Sequence, residues 1–360
     1  MNPELEQLAK QLAQATKPED VFGGVADENS LRKRYHSMAK IAHPDVHPIR
    51  EDKLLAQVTF NQLVEWFNRA AGKLHSGSYG EKERIVLATA RREYEIDEQF
   101  EQDETFNFYA CRFVEDGRKH QAVIRIVRDP RRNNLSTNEA RILDSLRSSR
   151  DASKFQPYLP NLLDTFLYDD GRYSRHAAVF EACNGWYSLE EVCRAYPHGI
   201  DPKDMAWMWR RLLAVLGFAH ANSVIHGAVL PDNVWVHPEQ HGLMLRNWFV
   251  SVQDGEPISK LDAPPAGWYS QEDINRGIPT HGMDINMSAK CMIYLLGGDA
   301  ERRTIPDSVP HAMRAFLRGS SLPGKRAPQN AWAVRQDFDD LLQRLWGERK
   351  FHPFTMSIPH

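Results

Sequence analysis

The chain has 360 residues, 42% of them hydrophobic, which is too long for one small core and suits two globular domains. Acidic and basic side chains nearly cancel to a formal charge of -3, so the totals exclude a global pull toward nucleic acid or anionic lipid and leave only local patches. Four scattered cysteines, Cys111, Cys183, Cys193 and Cys291, form no close Cys-x-x-Cys pair, which argues against a zinc ribbon or a disulfide framework and for a reducing cytoplasm.

The opening "MNPELEQLAKQLAQATKPED" lacks a basic and apolar leader pattern, and no later stretch is apolar over a bilayer's width, so neither membrane nor nucleic acid is an expected partner. Leu5, Leu8 and Leu12 set out a short amphipathic helix within residues 1–16, which Pro18 interrupts. Two longer helical patterns follow, on either side of a proline-rich bend at 44–48. In "SLRKRYHSMAKIA" the positions Leu31, Tyr35, Met38, Ala39 and Ala42 line one face, leaving Arg32, Lys33, Arg34 and Lys40 on the others. Phe60, Leu63 and Phe67 repeat the spacing, so the two helices are expected to pack as an antiparallel hairpin. Pro44 ends the first of them, because it lacks a donor and restricts the residue before it.

This stretch resembles the J domain of DnaJ-type co-chaperones, on "VFGG", the basic helix "RKRYHSMAK", the loop tripeptide His43-Pro44-Asp45 and the helix "FNQLVEWF". The resemblance spans residues 17–75. It implies that Arg32, Lys33, Arg34 and Lys40 dock on an acidic face of a DnaK-type ATPase, and that His43, Pro44 and Asp45 couple docking to ATP hydrolysis. Charges alone describe a solvated helix face, and His-Pro-Asp alone an ordinary turn; their combination at this spacing favours docking. A metal reading of His36, His43 and His47 is weaker, because Pro44 breaks the helix that would align the last two.

"HSGSYGE" reads as a linker. Beyond it "RIVLATARREYEI", "FNFYACRFV" and "HQAVIRIVRD" read as an antiparallel sheet, with "EDGRK" as a turn. A helix is expected at "STNEARILDSLRSS", further strands in "LPNLLDTFLYDDGRYSRHAAVFEA", and a mostly helical remainder from Pro202 to Trp346.

From about residue 94 to 346 the order of motifs resembles a eukaryotic-type protein kinase. "VIHGAVLPDNVWV" is similar to the catalytic loop, "AVIRIV" to the third small-lobe strand, "NEARIL" to the following helix, "VFEAC" to the hinge and "LRNWFVS" to the metal-binding region. "GWYSQE" and "DINMSAKCMIYLLGG" resemble the end of the activation segment and the core helix of the large lobe. The resemblance implies an ion pair between Arg125, at the lysine position, and Glu139, with Glu272, Asp284 and Arg326 as structural residues, Glu272 pairing Arg326.

The departures bear on chemistry. His226-Gly227-Ala228 replaces His-Arg-Asp, so Ala228 offers no acceptor for a substrate proton, and Leu230 stands where a lysine is usual. Asn247 replaces a metal-binding aspartate, and only Asn233 keeps its identity in that metal site. No glycine lies between Tyr94 and Ala110 to lay backbone over phosphates. Phe106, Phe108, Trp248 and Phe249 read as core, with filling of a former nucleotide cleft as the second reading.

The expected architecture is α+β: an amphipathic helix (1–16), an all-α J domain formed as a helical hairpin (17–75), a linker and leading strand (76–93), a kinase-like small lobe (94–183), a helical large lobe (184–346) and a tail (347–360). The expected function is a co-chaperone adaptor without catalytic residues, metal or cofactor, which recruits a DnaK-type chaperone and binds an unidentified client or regulatory protein. The alternatives are an atypical nucleotide-dependent protein kinase or transferase using Asn233 and Asp232, and a purely structural scaffold. "VSVQDGEPISKLDAPPAGWYSQE" reads as a partner-binding loop or a simple connection. "DINMSAKCMIYLLGGD" and "RKFHPFTM" also resemble bacterial proteins that join a J domain to a kinase-like domain.

Overall fold

Punctuation by proline, glycine and capping side chains sets the first helices. In a computed structural model, described for residues 2–15, 17–47, 49–80, 85–258, 267–348 and 350–356, α1 (Pro3–Gln14) starts where the Asn2 side chain accepts a hydrogen bond from the Glu4 N–H. It buries Leu5, Leu8 and Leu12. The short α2 (Pro18–Phe22) begins on proline and ends at Gly23, whose φ of +61° suits a residue without a Cβ. Asp27 and Ser30 form a capping box that opens α3 (Glu28–Ala42), and His43 closes it directly before Pro44. A single 3-10 turn, Pro44–Val46, then leads toward α4 (Arg50–His75).

Tyr35 packs at a tilt on Phe67 at 4.5 Å and His43 meets Phe60 edge-on at 5.6 Å. The contacts run in opposite senses along α3 and α4, so the two helices form the expected antiparallel hairpin. Leu31, Ala42, Leu63 and Ala70 fill its core with Val21 and Phe22 of α2 and Leu8 and Leu12 of α1. This unit extends over Met1–Arg84 and a second over Ile85–His360.

The second unit begins with strands β1 (Ile85–Ala88), β2 (Glu93–Gln102), β3 (Phe106–Glu115) and β4 (Arg118–Val127). Within the stretch "IVLATARREYEI", read from sequence as part of an antiparallel sheet, β1 and the start of β2 pair as a hairpin. Its turn is fixed by the Thr89 N–H donating to the Arg92 carbonyl at 2.8 Å and the Thr89 hydroxyl donating to Asp164 at 2.7 Å. Helices α5 (Asn133–Arg147) and α6 (Ala152–Phe155) follow, then β5 (Leu162–Asp169) and β6 (Ser174–Glu181). The six strands form one antiparallel sheet in the order β1-β2-β3-β4-β6-β5.

After β7 (Tyr187–Ser188) the chain is largely helical: α7 (Leu189–Ala195), α8 (Pro202–Ala221), α9 (Gln271–Arg276), α10 (His281–Leu295), α11 (His311–Ser320) and α12 (Ala331–Trp346). Short strands β8 (Val224–Ile225), β9 (Val234–His237), β10 (Gly242–Leu245) and β11 (Val252–Gln253) lie between α8 and α9; β8 pairs with β11, and β9 with β10 and β7. α10 is buried from Gly282 to Ile293, with its polar side chains Asp284, Asn286, Ser288 and Lys290 hydrogen-bonded to neighbouring segments. Trp209 of α8 and Phe338 of α12 complete this core.

The tail folds back onto the helical lobe. His241 stacks between Trp207 and Phe351 at 4.4 Å from each ring, and the His352 ring bonds the Asp204 carboxylate at 2.8 Å. Among the described residues no helix is long and apolar enough to cross a membrane.

Candidate functional site

The sequence singled out two groups of residues, one in each unit. In the N-terminal unit, His43 and Asp45 occupy the turn after α3, and their side chains are 49% and 80% exposed. The Asp45 N–H donates to His43 Nδ1 at 3.3 Å, so the 3-10 turn itself orients the imidazole. Lys33 and Lys40 are exposed on α3, and Arg32 is exposed while paired with Glu28 at 2.7 Å. Arg34 is also exposed on α3, and its guanidinium donates to the Phe22 carbonyl and ties α3 to the end of α2. His47 is buried and its ring bonds the Ile41 carbonyl at 2.7 Å, leaving His43 as the exposed imidazole of this turn.

In the second unit, Arg125 on β4 and Glu139 on α5 form the ion pair anticipated from sequence, with side chains only 4% and 2% exposed. Burial and the nearby Arg246 push the Arg125 pKa down to about 9, which keeps it cationic at neutral pH. Three aromatic faces enclose it: Phe106 at 4.2 Å, Phe180 at 4.8 Å and Phe249 at 5.9 Å from the guanidinium carbon. The second carboxylate oxygen of Glu139 accepts the Trp248 N–H at 2.9 Å. Trp248 and Phe106 are fully buried and Phe106 packs on Phe249 at 5.4 Å, so Trp248 and Phe106 are core residues.

A polar chain leads on from Arg125. It donates to Asn247 Oδ1 at 3.1 Å, Asn247 Nδ2 donates to Asn233 Oδ1 at 2.7 Å, and Asn233 Nδ2 donates to the Ala228 carbonyl at 2.8 Å. Asn247 reaches this position from a left-handed backbone, φ +61°, a conformation that asparagine tolerates better than most residues. Arg246, its neighbour, lays its guanidinium over the Trp235 ring at 3.9 Å, within electrostatic reach of Glu101 at the end of β2, of Cys183 after β6 and of Arg125. Sequence reasoning missed Trp235, Arg246 and Phe180. All three lie inside the quoted motifs "VIHGAVLPDNVWV", "LRNWFVS" and "VFEAC", where residue type alone did not mark them.

The loop His226-Gly227-Ala228 is bolted to the head of α10. Asp284 accepts the His226 and Gly227 N–H groups, each at 2.8 Å, and bonds the His220 ring at 2.9 Å. Burial opposes ionisation of Asp284, but the hydrogen bonds and charge from His220 and the neighbouring loop outweigh it and hold the carboxyl below its ordinary value. Burial likewise keeps His226 below the usual histidine range. Its Nδ1 accepts the Ala228 N–H at 3.2 Å while Nε2 donates to the Arg246 carbonyl at 2.9 Å, which specifies the neutral imidazole.

Other expectations fall differently. Glu272 makes its ion pair with Arg276 at 2.6 Å, one turn along α9, and among the described residues no ion pair joins it to Arg326. Its carboxylate lies against Gly324, in the 3-10 turn Gly324–Arg326, where a Cβ would collide with it. Asp232 and Leu230 line a cavity of about 500 Å³ with Glu190, Trp268, Tyr294 and Glu301, whereas Asn233 turns the other way, into the polar chain. Of the suggested partner loop, residues 259–266 lie outside the described residues; Ile258 packs against Gly227.

No protein-family description and no curated protein matches this sequence. Among solved structures, vaccinia related kinase 3 is similar with a TM-score of 0.54 at 15% identity, over 72% of this chain and 90% of that one. The BubR1 kinase domain is similar with a TM-score of 0.56 at 15% identity, over 78% and 93%. The second unit has a protein-kinase-like fold.

That fold implies a magnesium nucleotide between sheet and helical lobe, and the residues here do not fit one. Where hard oxygen donors are needed, Asn247 and Asn233 present neutral amides already bonded to each other and to Arg125. The stretch that would cradle phosphates is "EYEIDEQFEQDE", with Asp97, Glu101, Asp103 and Glu104 all exposed and no glycine.

Proposed function

We propose that this chain is a co-chaperone adaptor: its N-terminal unit is a J domain that recruits and stimulates a DnaK-type ATPase, and its kinase-like unit binds a client or regulatory protein without transferring phosphate. The observation that carries the reading is the outward-facing His43 and Asp45 at the end of a helix that exposes Arg32, Lys33 and Lys40. Those cations steer an acidic partner onto α3, while Pro44 holds the tripeptide in its turn. The closed Arg125–Asn247–Asn233 chain supports the second half, since it uses up the groups that would hold a metal. Four free thiols fit a reducing bacterial cytoplasm.

Steady-state ATPase measurements on a bacterial DnaK-type chaperone test the proposal. The full chain is expected to stimulate turnover, and His43→Gln to abolish the stimulation. No stimulation, or stimulation that His43→Gln leaves intact, overturns it. Incubation with labelled ATP and magnesium is expected to give no transfer; label that disappears on Asn233→Ala would install the atypical transferase using Asn233 and Asp232 instead.

A further inference from the structure

The His43 imidazole is half exposed at the end of α3, yet its ring is held on two sides. On one side Nδ1 accepts the Asp45 N–H at 3.3 Å. On the other the ring meets Phe60 edge-on, with centroids 5.6 Å apart and 80° between planes, a geometry in which aromatic rings attract. The turn beneath is fixed as well: the His43 carbonyl accepts the Val46 N–H at 3.2 Å, and the buried His47 ring bonds the Ile41 carbonyl at 2.7 Å. With Nδ1 engaged as an acceptor, the proton of the neutral imidazole resides on Nε2. That nitrogen has no hydrogen-bond partner among the described residues. Phe60 is half-buried on the α4 face that also carries Leu63 and Phe67. A leucine would fill much of the same space, so packing alone does not require an aromatic ring at residue 60.

We propose that Phe60 is a positioning residue for the tripeptide: it holds the His43 ring with Nε2–H free to donate to an acceptor on the docked chaperone ATPase. The inference rests on the J-domain reading of the N-terminal unit. The Asp45 carboxylate lies 3.8 Å from the same Nδ1. An imidazole released from Phe60 can change tautomer and donate Nδ1–H to Asp45, and the two exposed groups of the tripeptide then satisfy each other. Holding the ring in advance also spares the docked state the ordering of one side chain, an effect of about two- to tenfold. The same geometry accounts for the loss expected of His43→Gln, since glutamine carries a donor at similar reach but no ring for Phe60 to hold. Docking through the cations of α3 does not use this contact, so its removal falls on maximal stimulation and not on affinity.

The test compares wild type, Phe60→Leu, Phe60→Tyr and Phe67→Leu, each as the full chain, in chaperone ATPase titrations. Phe60→Leu is expected to lower maximal stimulation by about two- to tenfold at an unchanged half-maximal concentration, whereas Phe60→Tyr, which keeps the ring, retains the maximum. Phe67→Leu removes the 4.5 Å contact with Tyr35 in the same hairpin, about two turns farther along α4, so it reports a purely structural loss and should leave the maximum intact. Thermal melts show that each variant is folded at the assay temperature; Phe60→Met, also without a ring, repeats the comparison should Phe60→Leu melt early. Nitrogen NMR shifts of the His43 ring at about pH 8, where a free imidazole is neutral, are expected to show the proton on Nε2 in wild type and a larger share on Nδ1 in Phe60→Leu. Equal losses in Phe60→Leu and Phe67→Leu, an unchanged maximum in Phe60→Leu, or a wild-type proton on Nδ1 each overturn the inference, and leave the J-domain reading standing where His43→Gln abolishes stimulation. Absence of stimulation by wild type overturns both.

Discussion

Replacing Glu139 by glutamine deletes one charge from a site that water scarcely reaches. The shape is retained and glutamine's oxygen still accepts the Trp248 N–H, so the perturbation is electrostatic: the Arg125 guanidinium remains among Phe106, Phe180 and Phe249 without its counter-ion. Removing one partner of a buried ion pair costs about 3–5 kcal/mol, against about 0–1 kcal/mol for an exposed pair. With the backbone hydrogen bond preserved, the lower end, about 3 kcal/mol, is expected. For a unit of this size that lowers the melting temperature by about 6–12 °C.

The companion Arg125→Met/Glu139→Gln removes both charges, keeps the acceptor for the Trp248 N–H and places a thioether among the three rings, so it should cost less than Glu139→Gln alone. Urea titrations and thermal melts followed by circular dichroism, combined with both single variants in a double-mutant cycle, measure the coupling. A Glu139→Gln loss below about 1 kcal/mol, the value of a surface pair, would refute the argument. So would a double variant whose cost equals the sum of the singles.

Two further outcomes follow from the same geometry. Burial holds His226, His176 and His241 below their ordinary pKa of 6.5, so the unfolded chain takes up protons first and stability must fall as the pH drops below about 6.5. Asp284, held low, adds stability that is complete above its unfolded value of 3.8 and is lost as the pH falls further. Urea midpoints at about pH 7.5, 6 and 5 should decline in that order, and a flat or rising series contradicts the assignment of neutral, buried imidazoles. Gly227→Ala should destabilise by about 1–2 kcal/mol, because φ is +77° and a Cβ would sit 2.6 Å from Ile258 Cδ1; denaturation of this variant at wild-type stability would show that the loop yields freely.

Much of the architecture was written in local patterns. The 3.6-residue spacing of Leu31, Tyr35, Met38 and Ala42 and the proline after His43 suffice for the hairpin, because a helix face and its stop are decided by neighbours in sequence. The alternating β-branched and aromatic runs identified the sheet, although the turn at Thr89–Arg92 was hidden, since its anchor, Asp164, lies on β5. The ion pair of Arg125 with Glu139 was legible through motif order. That of Glu272 was not: Arg276 is one helical turn away and takes the carboxylate at little entropic cost, whereas Arg326 lies in a separate turn.

The sequence by itself determined that a proline-stopped basic helix presents His43-Pro44-Asp45, and that no aspartate stands at residues 228 and 247. What fills the space between the lobes was decided by tertiary structure alone. Arg246 over Trp235, and Arg125 among rings from β3, β6 and the segment after β10, join residues distant along the chain. Such contacts depend on where a guanidinium points once the core has closed, and no periodicity along the chain encodes that direction.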